Sequence, residues 1–316
     1  MNQPRNIIID CDTGVDDALA ILLALRSPEF HVLGITCVAG NVGLDKVVRN
    51  TLVVVEHSGV SVPVYEGSYR PLLGAGKTAE YVHGMDGLGD IGFPEPRIQK
   101  NPEHAVDYLV RTFIDSKEPI DLITTAPLTN IALALQKDRR LENKINSLVM
   151  MAGAADSGNT TPAAEFNVYA DPEAADVVFK SNIPNKVMIG LDPIRRAGLY
   201  AVDVEKLEKS THPWCQMAAK ILRSNLVRSK KATGQDLPTT PPDLAALAVA
   251  LDPTLGTGEM LNVNVETAGT LTRGMTVVDR RPFRGVYRPA PEPNMKVIWT
   301  IDEDRYRKLV LDTMLK

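Results

Sequence analysis

Four aspartates near the amino terminus are spaced so that they can bind a cation together. They lie in segment 7–22, which reads IIIDCDTGVDDALAIL, and they are Asp10, Asp12, Asp16 and Asp17. The β-branched run before them predicts a buried strand, Thr13 and Gly14 predict a turn, and the apolar residues from Ala18 onward predict one face of a helix. The carboxylates are therefore expected where a strand gives way to a helix.

The predicted elements bring these carboxylates together. Asp10 and Asp12 are two apart on an extended segment, so their side chains share a face. Asp16 and Asp17 fall in the first turn of the helix, where the helix dipole favours anions. Carboxylates this close repel one another, and a bound hard cation or raised pKa values relieve the repulsion. The segment therefore predicts a site for a hard cation.

Two other interpretations are open at the level of these residues. Asp16 and Asp17 can cap the helix while Asp10 and Asp12 lie on a solvated loop, since helix starts are rich in Asp. Alternatively, Asp10 and Asp12 can be the nucleophile pair of a haloacid-dehalogenase-type phosphatase, which also follows a first hydrophobic strand. That motif usually has Thr or Val two residues after its second Asp, and Gly14 stands there in this chain.

Composition narrows the classes of protein and partner. The chain has 316 residues, of which 44% are hydrophobic and 23% charged, so it can bury a large core. The net charge is −4 and there is no sustained Lys/Arg stripe, so we expect no nucleic-acid partner. Three cysteines without a CxxC spacing predict a reducing compartment. Since the chain shows no signal-peptide pattern and no run of about eighteen apolar residues, we expect a cytoplasmic protein with no membrane partner.

Strand-like and helix-like segments alternate along most of the chain. After the first unit, strands are predicted at 30–38, 62–65, 120–124, 147–151, 186–190 and 294–302, and helices at 44–58, 104–116, 128–136, 172–179 and 302–315. A glycine-rich loop occupies 67–92. This order predicts an α/β fold, with a single Rossmann-like domain over residues 1–316 whose mostly parallel central sheet is flanked by helices.

Polar residues follow several of the predicted strands. Sites on sheets of this kind lie beyond the carboxyl ends of the strands. The residues at such positions are Asn41, Thr125, Asp156, Asn159, Glu165 and Asn167, and Asp243 opens a later helix. Each of them alone is commonly a turn or cap residue. Their convergence on one sheet edge favours a binding site there.

The chain resembles the inosine-uridine-preferring family of nucleoside hydrolases almost from end to end. Besides DCDTGVDDALAIL, the similarity lies in VAGN at 38–41, APLTNIA at 126–132, VMMAGA at 149–154, AEFNVYADPEAA at 164–175 and GMTVVD at 274–279. The resemblance implies the nucleoside hydrolase fold and an enzyme of base salvage that hydrolyses the N-glycosidic bond of ribonucleosides. It also implies calcium as cofactor and a homodimer or homotetramer.

The same resemblance implies which residues hold calcium. They are Asp12, Asp17 with both oxygens, the backbone carbonyl of Thr125, and Asp243. Asp12 also matches the residue that takes a proton from the attacking water, and direct attack by water predicts inversion at C1′. An anionic pocket suits this reaction, because breaking the C1′ to nitrogen bond builds positive charge on the sugar.

Further residues match positions that contact the substrate. Those that bind or line the ribose site are Asp16, Asn41, Met151, Asn159, Glu165 and Asn167. Phe166 is expected to pack near the ribose, although a core role is equally open. Asp10 is expected behind the site, where it orients Asn41 or the neighbouring backbone.

The chain departs from the family pattern where the base leaves. Many members have His immediately before the last calcium-binding Asp, whereas this chain has Pro242, which cannot donate a proton. His83 matches a pocket His of some relatives and is the first candidate for contact with the base. The other candidates are Tyr81, Trp214, Arg228 and Lys231. The departure keeps an alternative open, namely a ribosyl-binding protein or a very slow enzyme with impaired leaving-group activation.

Overall fold

An eight-stranded sheet forms the centre of the computed structural model, which describes residues 3–282, 289 and 291–316. The strands are β1 Arg5–Cys11, β2 Phe30–Cys37, β3 Val64–Glu66, β4 Ile120–Thr124, β5 Ile145–Met151, β6 Lys186–Ile189, β7 Gly256–Leu261, β8 Val263–Val265, β9 Thr276–Val278 and β10 Met295–Ile301. Their order in the sheet is β3-β2-β1-β4-β5-β6-β10-β7, and β8 pairs with β9 separately. All neighbours in the large sheet are parallel except β10 and β7.

Helices cover both faces of this sheet. They are α1 Val15–Arg26, α2 Leu44–Ser58, α3 Glu80–His83, α4 Ala105–Asp115, α5 Thr129–Lys137, α6 Phe166–Ala170, α7 Pro172–Lys180, α8 Leu191–Ile194, α9 Ala201–Glu208, α10 Pro213–Thr233, α11 Pro242–Leu251 and α12 Glu303–Met314. Two short 3-10 helices span Arg139–Asn143 and Pro253–Leu255. One buried core joins the sheet to α1, α2, α10, α11 and α12, and a second joins it to α4, α5 and α7. The predicted α/β class with a mostly parallel, helix-flanked sheet is confirmed.

Strand β1 shows how sequence alternation sets the two faces. Ile7 and Ile9 are buried in the core with α1, and Ile8 is buried in the core with α4 and α5. Because side chains alternate along a strand, Asp10 lies on the same face as Ile8. Helix α1 begins at Val15, directly after the turn, so the predicted change from strand to helix is present.

The remaining boundaries are close to prediction, with several additions. Strand β5 begins two residues before the predicted segment, and α3 lies inside the loop predicted at 67–92. Three features were not predicted from the sequence. They are the antiparallel edge strand β7, the β8–β9 pair and the 21-residue helix α10. None of the helices in the described ranges combines the length and apolarity needed to cross a bilayer.

Candidate active site

The carboxyl ends of the central strands meet at a cavity of about 130 Å³. Ten of the twelve residues predicted for the site line it, and these are Asp16, Asn41, His83, Thr125, Met151, Asn159, Glu165, Phe166, Asn167 and Asp243. Asp12 and Asp17 are completely buried and are not on the lining. The rest of the wall comes from Ala79, Tyr81, Val82 and Pro242. The structure thus gathers polar groups that lie far apart in the sequence.

Asp17 is held by hydrogen bonds to both of its carboxylate oxygens. Thr125 Oγ1 donates to Oδ1 at 2.7 Å, and Oδ2 accepts from the Gly14 backbone N–H at 2.9 Å and from Asn41 Nδ2 at 3.0 Å. Burial raises the pKa of Asp17 to about 6, and the neighbouring charge of Asp16 contributes to the increase. The carboxyl group is therefore fixed in place at the start of α1.

Asp12 lies behind Asn41 and is held by it. The Asn41 backbone N–H donates to Asp12 Oδ2 at 2.7 Å, and Asn41 Nδ2 donates to Asp12 Oδ1 at 3.2 Å. Burial raises the pKa of Asp12 well above its usual range, and the charge of Asp17 adds to this. Gly40 makes the approach possible, because a Cβ at that position would overlap Asp12 Oδ2.

Three acidic side chains come close enough to share a metal ion. One carboxylate oxygen from each of Asp16, Asp17 and Asp243 lies within 4.8 Å of the other two. Asp16 Oδ1 is enclosed and has no hydrogen-bond partner within the described residues. Burial raises the pKa of Asp243 well above its usual range, and the charges of Asp16 and Asp17 add to this. Such a group of oxygen donors suits a hard cation.

Asn167 and Glu165 form another part of the cavity wall. Asn167 Nδ2 donates to the Thr125 carbonyl at 3.1 Å and to the Met151 carbonyl at 3.0 Å. Glu165 caps α6, and its carboxylate accepts from the backbone N–H groups of Asn167 and Gly153, both at 2.8 Å. Burial raises the pKa of Glu165 to about 7. These contacts fix polar groups at the ends of β4 and β5.

His83 closes the cavity from helix α3. Its Nδ1 accepts from the Val15 backbone N–H at 3.2 Å and lies 3.5 Å from Asp16 Oδ1. Burial lowers the pKa of His83 to about 4, so the ring is neutral at pH 7. Because Nδ1 accepts a hydrogen bond, the proton of the neutral ring is on Nε2. His83 therefore has a donor available.

The other candidates for contact with the base are placed differently. Tyr81 lines the cavity and is 74% exposed. Trp214 is not on the lining, since it packs against Arg26 and donates from Nε1 to the Met314 carbonyl at 2.8 Å. Neither Lys231 nor Arg228 is on the lining, but Arg228 donates to the Val82 carbonyl.

Asp10 lies behind the site, but its partners differ from those predicted. Its Oδ1 accepts from Thr36 Oγ1 at 2.6 Å and from Asn130 Nδ2 at 2.8 Å, and neither partner is Asn41. Asn130 Nδ2 also donates to the Cys37 carbonyl at 3.0 Å, which ties β1 to β2. Asp10 is fully buried, and Thr36 and Asn130 already engage its Oδ1, which does not fit the nucleophile of a phosphatase.

Known proteins are similar to this chain in both fold and sequence. The family model for inosine-uridine preferring nucleoside hydrolases matches residues 7–308. The pyrimidine-specific ribonucleoside hydrolase RihA of Photobacterium profundum is 43% identical over 279 residues, which are 87% of this chain and 89% of that protein. A plant nucleoside hydrolase, PpNRh1, has a TM-score of 0.91 at 30% identity and 99% coverage of both chains. A purine-preferring ribonucleoside hydrolase from Gardnerella vaginalis has a TM-score of 0.89 at 30% identity and 98% coverage of both chains.

These similarities define the protein as an enzyme that hydrolyses N-glycosyl bonds. The chain belongs to the inosine-uridine preferring nucleoside hydrolase family. The family and the enzyme class predicted from the sequence are thereby confirmed.

Proposed function

We propose that this protein catalyses the calcium-dependent hydrolysis of ribonucleosides to ribose and free base, with inversion at C1′. The observation that carries the proposal is the cavity wall, where Asp16, Glu165 and Asp243 lie beside the amides of Asn41 and Asn167. We further propose a preference for pyrimidine ribonucleosides, which the specificity of the Photobacterium relative supports. The purine-preferring structural neighbour, at 30% identity, is the weaker guide to the base.

The donor set fits calcium. Calcium takes six to eight oxygen ligands, and the three clustered carboxylates together with the Thr125 carbonyl offer oxygen alone. The Oδ1 of Asp16, which has no hydrogen-bond partner within the described residues, is left to accept from a ribose hydroxyl. We propose Asp12, Asp17, Thr125 and Asp243 as the ligands. When bound, the ion would hold the ribose diol and lower the pKa of a water beside C1′.

The other side chains of the site have separate roles in proton transfer and in binding the ribose. Asp12 takes the proton from the attacking water, and its two hydrogen bonds to Asn41 keep it oriented for that step. Asp16, Asn159 and the amide of Asn167 bind the ribose hydroxyls, while Phe166 and Met151 pack beside the ring. Since positive charge builds on the sugar as the bond breaks, the fixed anionic wall stabilises the transition state more than the neutral substrate.

Activation of the leaving base falls to His83 in this proposal. The base departs with negative charge, which a hydrogen bond from Nε2 of the neutral His83 would stabilise. Pro242 lies on the cavity wall and offers no donor in the place where many relatives have His. The hydrogen-bond donor to the leaving base therefore comes from helix α3.

Ribose release from uridine, cytidine, inosine, adenosine and p-nitrophenyl riboside tests the proposal. Each is assayed with added calcium and with a chelator. Chelator-sensitive cleavage of a natural nucleoside supports it, with uridine and cytidine expected ahead of the purine nucleosides. Cleavage of p-nitrophenyl riboside alone would mean that leaving-group activation is lost, since nitrophenolate leaves without a proton. If calcium-loaded, folded protein cleaves none of them, the ribosyl-binding alternative replaces the hydrolase.

Replacing Gly40 with Ala is expected to lower kcat about 100-fold. The added Cβ would overlap Oδ2 of Asp12 and lie 2.8 Å from its Cγ, so the carboxylate must move away from the attacking water. Gly43→Ala is the matched control, since nothing lies within 4 Å of the added Cβ and the φ of −60° suits alanine. Equal kcat values for the two variants would contradict the role given to Asp12.

Calcium is expected to raise the melting temperature more at about pH 7.5 than at about pH 5. Burial raises the pKa of Asp17 to about 6, above its unfolded value of 3.8. The calcium-free folded state therefore binds the extra proton more tightly than the unfolded state, and this stabilising contribution is lost as the pH rises through about 6. Calcium requires the carboxylate, so its affinity rises over the same window.

Thermal melts with calcium and with chelator, recorded across that pH range, measure the effect. In Asp17→Asn the calcium-dependent increment should be small at every pH, since the variant lacks a titrating ligand. An increment in the unaltered protein that does not change with pH would contradict the assignment.

We also propose that the enzyme is a cytoplasmic homodimer or homotetramer whose single domain spans 1–316. The three unpaired, buried cysteines support a reducing compartment. Light scattering of the purified protein would measure the oligomeric state.

A further inference from the structure

Helix α3 forms part of the cavity wall although it contains only four residues. Tyr81, Val82 and His83 line the cavity. Inside this segment, the N–H groups of Val82 and His83 both donate to the Ala79 carbonyl, at 2.8 and 3.1 Å. A single turn of helix is not stable by its own hydrogen bonds. Contacts from other elements must therefore set the position of His83.

Arg228 makes such a contact from helix α10. Its Nη1 donates to the carbonyl of Val82, and its Nη2 donates to Asn225 Oδ1 at 2.5 Å on the same helix. The Val82 carbonyl belongs to the peptide that joins Val82 to His83. Arg228 therefore holds the backbone unit from which the His83 side chain extends, and Asn225 fixes the other half of the guanidinium.

The guanidinium of Arg228 donates to two neutral oxygen acceptors. Within residues 3–282, 289 and 291–316, no carboxylate lies at ion-pair distance from it, whereas Arg223 on the same helix pairs with Glu208 at 2.8 Å. Its charge acts electrostatically on Asp16 and His83. The planar, forked donors of Arg suit a two-point contact of this kind. These observations make Arg228 different from the solvated basic residues around it.

We propose that Arg228 is a positioning residue for the leaving group, because it holds the Val82–His83 peptide so that the His83 imidazole reaches the departing base. This inference rests on the proposed nucleoside hydrolysis, and it deepens the role of the His83 side of the cavity. It also explains how the chain can work with Pro242, since the donor comes from α3 and its placement from α10. Leaving-group activation then depends on a residue that lies outside the cavity wall.

Replacing Arg228 with Gln tests the proposal. In the calcium-loaded enzyme, R228Q should lower kcat/KM for uridine at least about tenfold and change kcat/KM for p-nitrophenyl riboside less than about threefold. Only the natural nucleoside needs a donor at the leaving base. Arg223→Gln is the matched control, since it removes an arginine from the same helix, and it should leave the ratio of the two constants unchanged.

A double-mutant cycle shows whether Arg228 acts through His83. If it does, R228Q should lower uridine hydrolysis by less than about twofold in a His83→Ala background. An equal effect of R228Q in both backgrounds, or an unchanged ratio in the single variant, would overturn the proposal.

Amide hydrogen exchange tests the positioning role of Arg228 without a measurement of hydrolysis. In R228Q the amides of Val82 and His83 should exchange at least about tenfold faster, while R223Q leaves them unchanged. Unchanged exchange in R228Q would overturn the positioning role. If the unaltered protein hydrolyses no riboside at all, the proposed function fails, and the exchange measurement still decides whether Arg228 holds α3.

Discussion

Replacing Asp12 with Asn is expected to lower kcat about 10²- to 10⁴-fold for every riboside tested, including p-nitrophenyl riboside. Asn has nearly the same shape, and its carbonyl can still accept the hydrogen bond that the Asn41 backbone N–H makes with Asp12 Oδ2 at 2.7 Å. It cannot accept a proton from water. Because both natural and activated substrates need that water, the loss should be common to both. Steady-state kinetics with the two kinds of substrate measure it.

His83→Ala is the informative comparison for this variant. It removes the proposed donor to the base and leaves Asp12 and its hydrogen bonds to Asn41 in place. It should therefore impair uridine far more than p-nitrophenyl riboside. Activity of Asp12→Asn within about tenfold of the unaltered enzyme would mean that another group takes the proton.

Removing calcium is expected to abolish hydrolysis, and adding it back should restore the activity. One carboxylate oxygen from each of Asp16, Asp17 and Asp243 lies within 4.8 Å of the other two, so the groups repel each other without a cation, and burial raises the pKa of each. Asp243→Asn should weaken calcium binding by at least about 10-fold, because it removes a charged ligand. Calorimetric titration of the calcium-free protein measures the affinity directly.

Asp45→Asn provides the matched control for that titration. Asp45 is an exposed carboxylate in the first turn of α2, away from the cavity, and its loss changes the net charge equally. Its calcium affinity and turnover should equal those of the unaltered protein. Full activity in chelator, with metal analysis showing no bound calcium, would contradict the metal role.

The sequence predicts the residues at the carboxyl ends of the strands better than it predicts the contacts that position helix α3 at the cavity. Isoleucines on alternating faces of β1 and a helix starting at Val15 follow from local patterns, and these place Asp12, Asp16 and Asp17. The residues after β2, β4 and β5 follow from the same rule, since parallel strands end at one edge.

The position of helix α3 depends on contacts between segments that lie far apart in the sequence. Nothing in the sequence around Val82 indicates that Arg228, 146 residues later, holds its carbonyl. The sequence could not choose Trp214 among the candidates for contact with the base for a similar reason, because its packing against Arg26 is decided by tertiary contacts. Asn130, which binds Asp10 and Cys37, was visible only as part of the APLTNIA motif. Local periodicity carries no information on such pairs.

The cavity is assembled from segments that span Asp16 to Asp243, and this has a consequence for folding. No contiguous piece of the chain contains enough of the wall to bind a ribose. The parallel pairing of β1 with β4 also joins residues 114 positions apart, such as Asn6 and Ile120, and it forms slowly because it must close a large loop. Hydrolytic activity is therefore a late signal in folding, and its return reports that the whole sheet has closed rather than that its helices have formed.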